Sequence, residues 1–177
     1  MNTKLLTERL VIEPVSIDDL EDVAAYACDI DNAQYKIYLP YPSVEVLRKY
    51  LDLSEKKWGT EAPDIYEFSV KFEGRVIGGI SIYMSDDRSF GELGWIISKK
   101  HWRKGFAYEA TKAVMKFAVD ELGLDTLTAE CDERNEPSYR LMEKLGFVLE
   151  TKDSTRYYER TGETAMQRKY IWKLKES

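Results

Sequence analysis

The chain is short of the residues that most often hold metals or carry covalent catalysis. Among 177 residues there is one histidine, His101, and there are two cysteines, Cys28 and Cys131. The thiols lie far apart and form no CxxC pair, so no metal-ligand spacing of the usual kind is present and no metal is expected. Two isolated thiols suit a reducing, cytoplasmic setting. Cys131 as an acyl-carrying nucleophile has no histidine partner in view. Long apolar runs are also missing. The opening from Met1 to Arg9 does not read as a signal peptide, and no stretch approaches the roughly 18 apolar residues of a membrane span. Repeats, low-complexity tracts and Gly/Ser linkers are absent, which leaves one domain over 1–177 as the expectation. Neither glycine-rich nucleotide pattern, the P-loop or GxGxxG, occurs.

Positive charge is scarce too. Lysine and arginine number 26 against 32 aspartates and glutamates, a formal net charge of −6. Such a chain repels nucleic acid and anionic membranes unless a local cluster reverses the field, so neither is expected as a partner. The hydrophobic share of 44% and charged share of 33% are those of a globular protein with one substantial core. Twelve tyrosines exceed what packing alone asks for, and some of them suit the wall of a partly polar pocket.

Apolar periodicity divides the chain into short elements. Arg9 to Glu13 reads as a strand halted by Pro14. Ser16 then suits an N-cap with Asp19 in the third helical position, followed by Leu20, Val23, Ala24 and Ala27 at helical spacing. An irregular aromatic loop runs from Asp29 to Pro42, and a second helix from Ser43 to Trp58. Strands at Tyr66–Phe72 and Val76–Tyr83 flank Glu73-Gly74, a hairpin signal, and Gly91–Ile97 is the next strand. A long helix fits Phe106–Leu122 with Gly123 as its stop, then a strand at Asp125–Cys131. Asn135 caps a short helix with Pro137 in its first turn. Phe147–Thr151 and Gln167–Leu174 close the chain, joined as a long hairpin through Arg160-Thr161-Gly162. This order predicts a mixed α/β (α+β) fold, with a mostly antiparallel sheet of about seven strands flanked by about four helices.

One stretch stands apart from the acidic background. Gly94 to Ala110 reads as strand, basic loop, glycine, helix, and Lys99, Lys100, Arg103 and Lys104 put four cations within six residues. A helix N-terminus leaves unpaired backbone N–H groups and a dipole that favours negative charge. Gly105, with no Cβ, lets a phosphate approach the backbone. The alternative reading of such a loop is a solvated turn.

The run Trp102-Arg103-Lys104-Gly105-Phe106-Ala107 with Glu109-Ala110 resembles the pyrophosphate-binding motif of the GCN5-related N-acetyltransferase (GNAT) family, Gln/Arg-x-x-Gly-x-Gly/Ala. The first position departs from that pattern, and a tryptophan there is similar to the RimJ/RimL-type ribosomal-protein N-terminal acetyltransferase branch. Asn135 to Phe147 resembles the same branch's Asn-x-x-Ser…Glu-Lys-x-Gly-Phe pattern. Thr7-Glu8-Arg9-Leu10 and Val76 to Ile80 match as well, so the likeness spans nearly the whole chain.

The resemblance implies transfer of an acetyl group from acetyl-coenzyme A to a primary amine, by direct attack in a ternary complex. It implies that the backbone at Trp95, Ile96 and Ile97 binds the pantetheine arm, in a splay between that strand and Leu127–Cys131. The amides from Arg103 through Lys104, Gly105 and Phe106 to Ala107 take the pyrophosphate, and Asn135 and Ser138 face the cofactor. It also leaves room for a homodimer. Amine attack needs a base, an oxyanion donor and a proton for the leaving sulfur. Glu92 is the base candidate, against a plain strand carboxylate. A backbone N–H in the Ile96–Ser98 stretch is the oxyanion donor. Ser138 is the acid candidate, against a simple capping role. Many relatives carry a tyrosine where this chain has Met142, with Tyr139 nearby.

Tyr35, Tyr38 and Tyr157 are candidates for the acceptor wall with Glu92, as are Tyr41 and Tyr158. Asp29, Asp31, Asp86 and Asp87 are candidates for attracting a cationic amine. The acceptor is a protein N-terminus or a small amine. The rival from a different class is a non-catalytic acyl-CoA sensor with the same fold.

Overall fold

The computed structural model describes residues 3–175, so Met1 and Asn2, part of the opening stretch read above, lie outside the described residues. The elements follow the order β1 (Leu5–Leu6), β2 (Leu10–Pro14), α1 (Leu20–Ala27), α2 (Val44–Lys57), β3 (Ile65–Phe72), β4 (Arg75–Met84), β5 (Gly91–Ile97), α3 (Phe106–Asp120), β6 (Thr126–Asp132), α4 (Glu136–Lys144), β7 (Val148–Tyr158) and β8 (Glu163–Lys173), with 3-10 turns at Ile17–Asp19 and Lys99–His101. The strands form one sheet in the order β1-β2-β3-β4-β5-β6-β8-β7. Among the described residues it has eight strands, one more than the patterning predicts. The extra one, β1, contributes two residues paired to Val11 and Ile12, too few to show a period of two. Apart from the β5–β6 contact, which is parallel, neighbours are antiparallel.

Local chemistry sets the boundaries. Ser16 and Asp19 form a reciprocal capping box ahead of α1. The Ser43 hydroxyl accepts from Val46 N–H at 3.3 Å to start α2, and Asn135 Oδ1 accepts from Ser138 N–H at 3.3 Å to start α4. Helix α3 stops at Asp120, two residues before Leu122, and Gly123 turns the chain away at a φ of 69°.

Two apolar clusters sandwich the sheet. Phe106, Ala110, Val114 and Phe117 of α3 pack on Ile12, Phe68, Ile80 and Leu93. On the opposite face Val23, Tyr26 and Ala27 of α1 and Leu47 and Leu51 of α2 pack with Val15 and Val76. Trp58 at the end of α2 meets Phe68 edge-on at 4.9 Å, and Phe68 meets Phe117 at 5.2 Å.

The sheet does not stay closed across its middle. Strand β5 pairs with β6 only through Gly91, Glu92 and Leu93, opposite Leu127, Thr128 and Ala129. Beyond that point Gly94 to Ile97 pair with β4 alone, while Glu130 to Asp132 pair with β8. A wedge therefore opens between the two strands. Ser98 N–H donates to the Ile77 carbonyl at 2.7 Å, which sets the alternation of the β4–β5 ladder. Even-numbered residues of β5 bond to β4, and Trp95 and Ile97 turn their peptide groups into the wedge.

Candidate active site

The loop before α3 is shaped for an anion. Arg103 has a φ of 61° and Gly105 a φ of 81°. Left-handed steps of this kind turn successive backbone N–H groups into one concavity, at the positive end of a 15-residue helix. Arg9 holds the loop from outside. Its Nη1 donates to the Lys104 carbonyl at 2.9 Å, its Nε donates to Glu109 Oε2 at 2.7 Å, and its guanidinium lies 4.4 Å from the Phe106 ring centre. Thr7 Oγ1 and Arg9 N–H donate to Glu109 Oε1 at 2.6 and 2.9 Å. Burial pushes the Glu109 carboxyl up, but these donors outweigh it and hold the group below the usual glutamate range.

Of the four cations in the basic run, one is committed elsewhere. Lys99 Nζ pairs with Asp29 at 2.8 Å and Asp31 at 3.2 Å. Lys99 is thus turned toward the acidic pair Asp29 and Asp31 of the loop after α1. Asp87 is a turn residue, accepting from Ser85 and Ser89, and its carboxyl is pushed down to about 2.

Inside the wedge, Asn32 Nδ2 and Trp102 Nε1 donate to the Ile97 carbonyl at 3.2 and 2.6 Å, and Lys36 Nζ donates to the Trp95 carbonyl. The α1–α2 loop and the anion loop thus both reach the free edge of β5, an edge that offers hydrogen bonds to an extended, amide-bearing arm such as pantetheine. Glu92 sits just before the opening, opposite Tyr83 on β4 and Thr128 on β6. Burial, then the neighbouring Glu130, raises its pKa, partly offset by Lys169 and Arg156. Ser138 is buried on the other side, beside Cys131. Cys131 belongs to the α3 cluster, and burial raises its thiol to about 11, so it is no ready nucleophile. Glu92 and Ser138 therefore address the wedge from opposite faces of the sheet. Met142 is 1% exposed and serves the core.

The acceptor candidates separate. Tyr35 lies near the wedge, its carbonyl accepting from Arg156 Nη1 at 3.1 Å. Tyr38 is 86% exposed and Tyr157 54% exposed, so both stand at a rim. Tyr41 packs 5.3 Å from Tyr50 in the α1–α2 cluster. Tyr158 is buried and donates to Asp132 Oδ2 at 2.8 Å, which with Arg134 pins the end of β6.

Sequence reading missed four contributors. Glu67 on β3 accepts from Tyr50 Oη at 2.9 Å, and burial raises its pKa. Arg156 joins Gln167 to the Tyr35 carbonyl. Lys36 reaches β5 from an irregular loop, and Arg9 buttresses the anion loop. Only Arg9 left a signal, the Thr7-Glu8-Arg9 opening. The other three come together through sheet register and loop path, which one strand's pattern does not display.

A model of the acetyltransferase (GNAT) domain matches residues 9–148. An uncharacterized N-acetyltransferase, p20, from Bacillus licheniformis is 26% identical over 147 residues, covering 82% of this chain and 83% of that protein. The crystal structure of a GNAT-family acetyltransferase from Bacillus anthracis has a TM-score of 0.80 at 26% identity, over 96% of this chain and 98% of that one. RimL, a ribosomal L7/L12 alpha-N-protein acetyltransferase in complex with coenzyme A, has the same fold, with a TM-score of 0.81 at 14% identity over 97% and 98% of the two chains. Among the described residues no helix is long and apolar enough to cross a membrane, and no group of three or more His, Cys, Asp or Glu is placed to hold a metal. Taken with the split β5–β6 pair and the loop at Gly105, the family match settles the assignment: the chain belongs to the GNAT acetyltransferase family, whose members use acetyl-CoA.

Proposed function

We propose that this chain N-acetylates a primary amine by direct attack in a ternary complex, and that the amine is a peptide or protein N-terminus. The observation that carries the reading is the wedge, which runs between a candidate base on one face and a candidate acid on the other. Acetyl-CoA supplies the activated acyl group when bound. The N–H groups from Arg103 to Ala107 hold its pyrophosphate, and the Trp95 N–H on the free edge of β5 binds its amide arm. Fixing the acyl carbon beside the amine converts a bimolecular reaction into a near-unimolecular one.

Glu92 takes the proton of the attacking amine, directly or through water, and its raised pKa suits that task. Within the Ile96–Ser98 stretch, Ile97 is the residue whose N–H turns to the wedge, so it is the oxyanion donor. Ser138 gives a proton to the departing sulfur, with Asn135 fixing its backbone. Cys131 plays no covalent part.

Support for a peptide acceptor comes from the rim. Tyr38 and Tyr157 stay largely exposed instead of closing a pocket, which suits an open groove for an extended chain. The likeness to RimL, whose acceptor is a protein, agrees with that choice. The test is thiol release from acetyl-CoA with two separate pools, peptides of varied N-termini and small amines such as polyamines and amino sugars. Release with the peptide pool is expected. Release confined to small amines overturns the acceptor assignment, and silence from both, in protein that binds acetyl-CoA, favours an acyl-CoA sensor.

A further inference from the structure

Lys36 is a titratable group for which this mechanism has no use. Its backbone is fixed from the N-terminal side: Asn32 is tied to the Ile97 carbonyl, the Tyr35 carbonyl is tied to Arg156, and Lys36 N–H donates to the Ala33 carbonyl at 2.9 Å. From there the side chain enters the wedge, and its Nζ donates to the Trp95 carbonyl. Trp95 is two residues past Leu93, where β5 last pairs with β6 opposite Ala129. Continued in that register, Trp95 would stand across the wedge from Cys131. A primary amine thus already reaches the β5 edge of the wedge in which the proposed function puts the thioester.

We propose that Lys36 is an internal acyl acceptor. With acetyl-CoA bound and no amine present, it becomes N6-acetyllysine. The inference rests on the acetyltransferase reading above. Lys36 Nζ, in its neutral form, attacks the acetyl carbonyl carbon. The new C–N bond forms as the C–S bond breaks, and the proton released by the nitrogen ends on the coenzyme A sulfur. No oxidant, reductant or further reactant is needed.

The surroundings raise the share of neutral amine far above that of an ordinary lysine. Burial, then the charge of Arg156, pulls the Lys36 pKa down to about 8, against which Cys131 and Glu67 act weakly in the opposite sense. Lys71 is the contrast within this chain: Glu13 and Asp19 hold it as a cation at 2.8 and 2.9 Å. The consequence for the enzyme is that acetylation removes a cation and lengthens the side chain inside the wedge, at the acceptor's position.

The experiment uses the full chain with isotopically labelled acetyl-CoA, no added amine, and peptide mass analysis over time. Lys36 is expected to gain one acetyl group at a rate independent of protein concentration and at least about tenfold faster than the exposed Lys116, as an intramolecular reaction requires. Lys36→Arg is expected to lose this product while retaining acetyl-CoA binding by calorimetry. A second arm omits acetyl-CoA: trace labelling by acetic anhydride across a pH series is expected to show Lys36 titrating below the ordinary lysine range and protected by coenzyme A. Acetylation no faster than at Lys116, a rate that scales with protein concentration, or an unmodified Lys36 in protein that binds acetyl-CoA overturns the proposal. Protein that fails to bind acetyl-CoA at all refutes the underlying acetyltransferase reading, which calorimetry distinguishes from failure of this step alone.

Discussion

Arg9 and Glu109, 100 residues apart in sequence, meet with Nε–Oε2 and Nη2–Oε2 distances of 2.7 Å. The same guanidinium bonds the Lys104 carbonyl, so the start of the chain holds the anion loop in shape. Arg9→Ala leaves a partly buried carboxylate short of donors, at a cost of about 1–3 kcal/mol. Affinity for acetyl-CoA is expected to fall by about tenfold, since each 1.4 kcal/mol is a factor of ten. Calorimetry and a denaturant melt on the same preparation check both effects.

Gly105 calls for a separate pair of substitutions. An Ala at a φ of 81° is strained, by about 1–2 kcal/mol in the left-handed region, and its Cβ would come 3.4 Å from Arg9 Nη2. Gly105→Ala is therefore expected to weaken cofactor binding modestly. Gly105→Glu adds bulk and negative charge where the pyrophosphate belongs, and is expected to abolish binding in a folded protein. Titration of acetyl-CoA into each variant, with circular dichroism for folding, reads the difference.

The Glu109 carboxyl sits below its ordinary range when folded, so the unfolded state binds more protons as the pH falls. Its contribution to stability is complete above the unfolded value, about 4.3, and is lost as the pH drops through the folded one. Stability and acetyl-CoA affinity are expected to decline together in that window. In Glu109→Gln the local part of this acid slope disappears. Urea melts across an acid pH series measure it.

Much of this architecture was readable in advance because local rules and burial agreed. The Ser16/Asp19 box, the Ser43 and Asn135 caps and the Glu73-Gly74 turn each announce an element through side-chain chemistry. Patterning places strand β5 at Gly91–Ile97, the range it occupies. The site was only half legible. Gly105 and its cations are contiguous, so they show in one window, yet the pairing of Lys99 with Asp29 and Asp31 depends on a loop crossing between elements. Lys36 reaches the wedge by its loop path and Glu67 meets Tyr50 through sheet register, which no periodicity encodes. Strand β1 was missed because two residues carry no pattern.

Catalysis is expected to split from binding at Glu92 and Ser138. Glu92→Gln should lower kcat by about a hundredfold or more, the usual scale for a lost general base, with the affinity for acetyl-CoA unchanged. In the unmodified enzyme, kcat/KM should rise with pH through a value above the ordinary carboxylate range, because burial and Glu130 raise the Glu92 pKa. Ser138→Ala should lower kcat less. Steady-state rates across pH, alongside calorimetry, separate these effects.

The central claim is that the amine attacks the bound thioester directly, in a site that carries no acyl-enzyme step for the acceptor. Initial rates over a matrix of acetyl-CoA and acceptor-peptide concentrations, with the peptide product identified by mass, test it most directly. Intersecting reciprocal plots and a peptide heavier by one acetyl group are the predicted result. Parallel plots, with the acetyl group first trapped on Cys131, would contradict it.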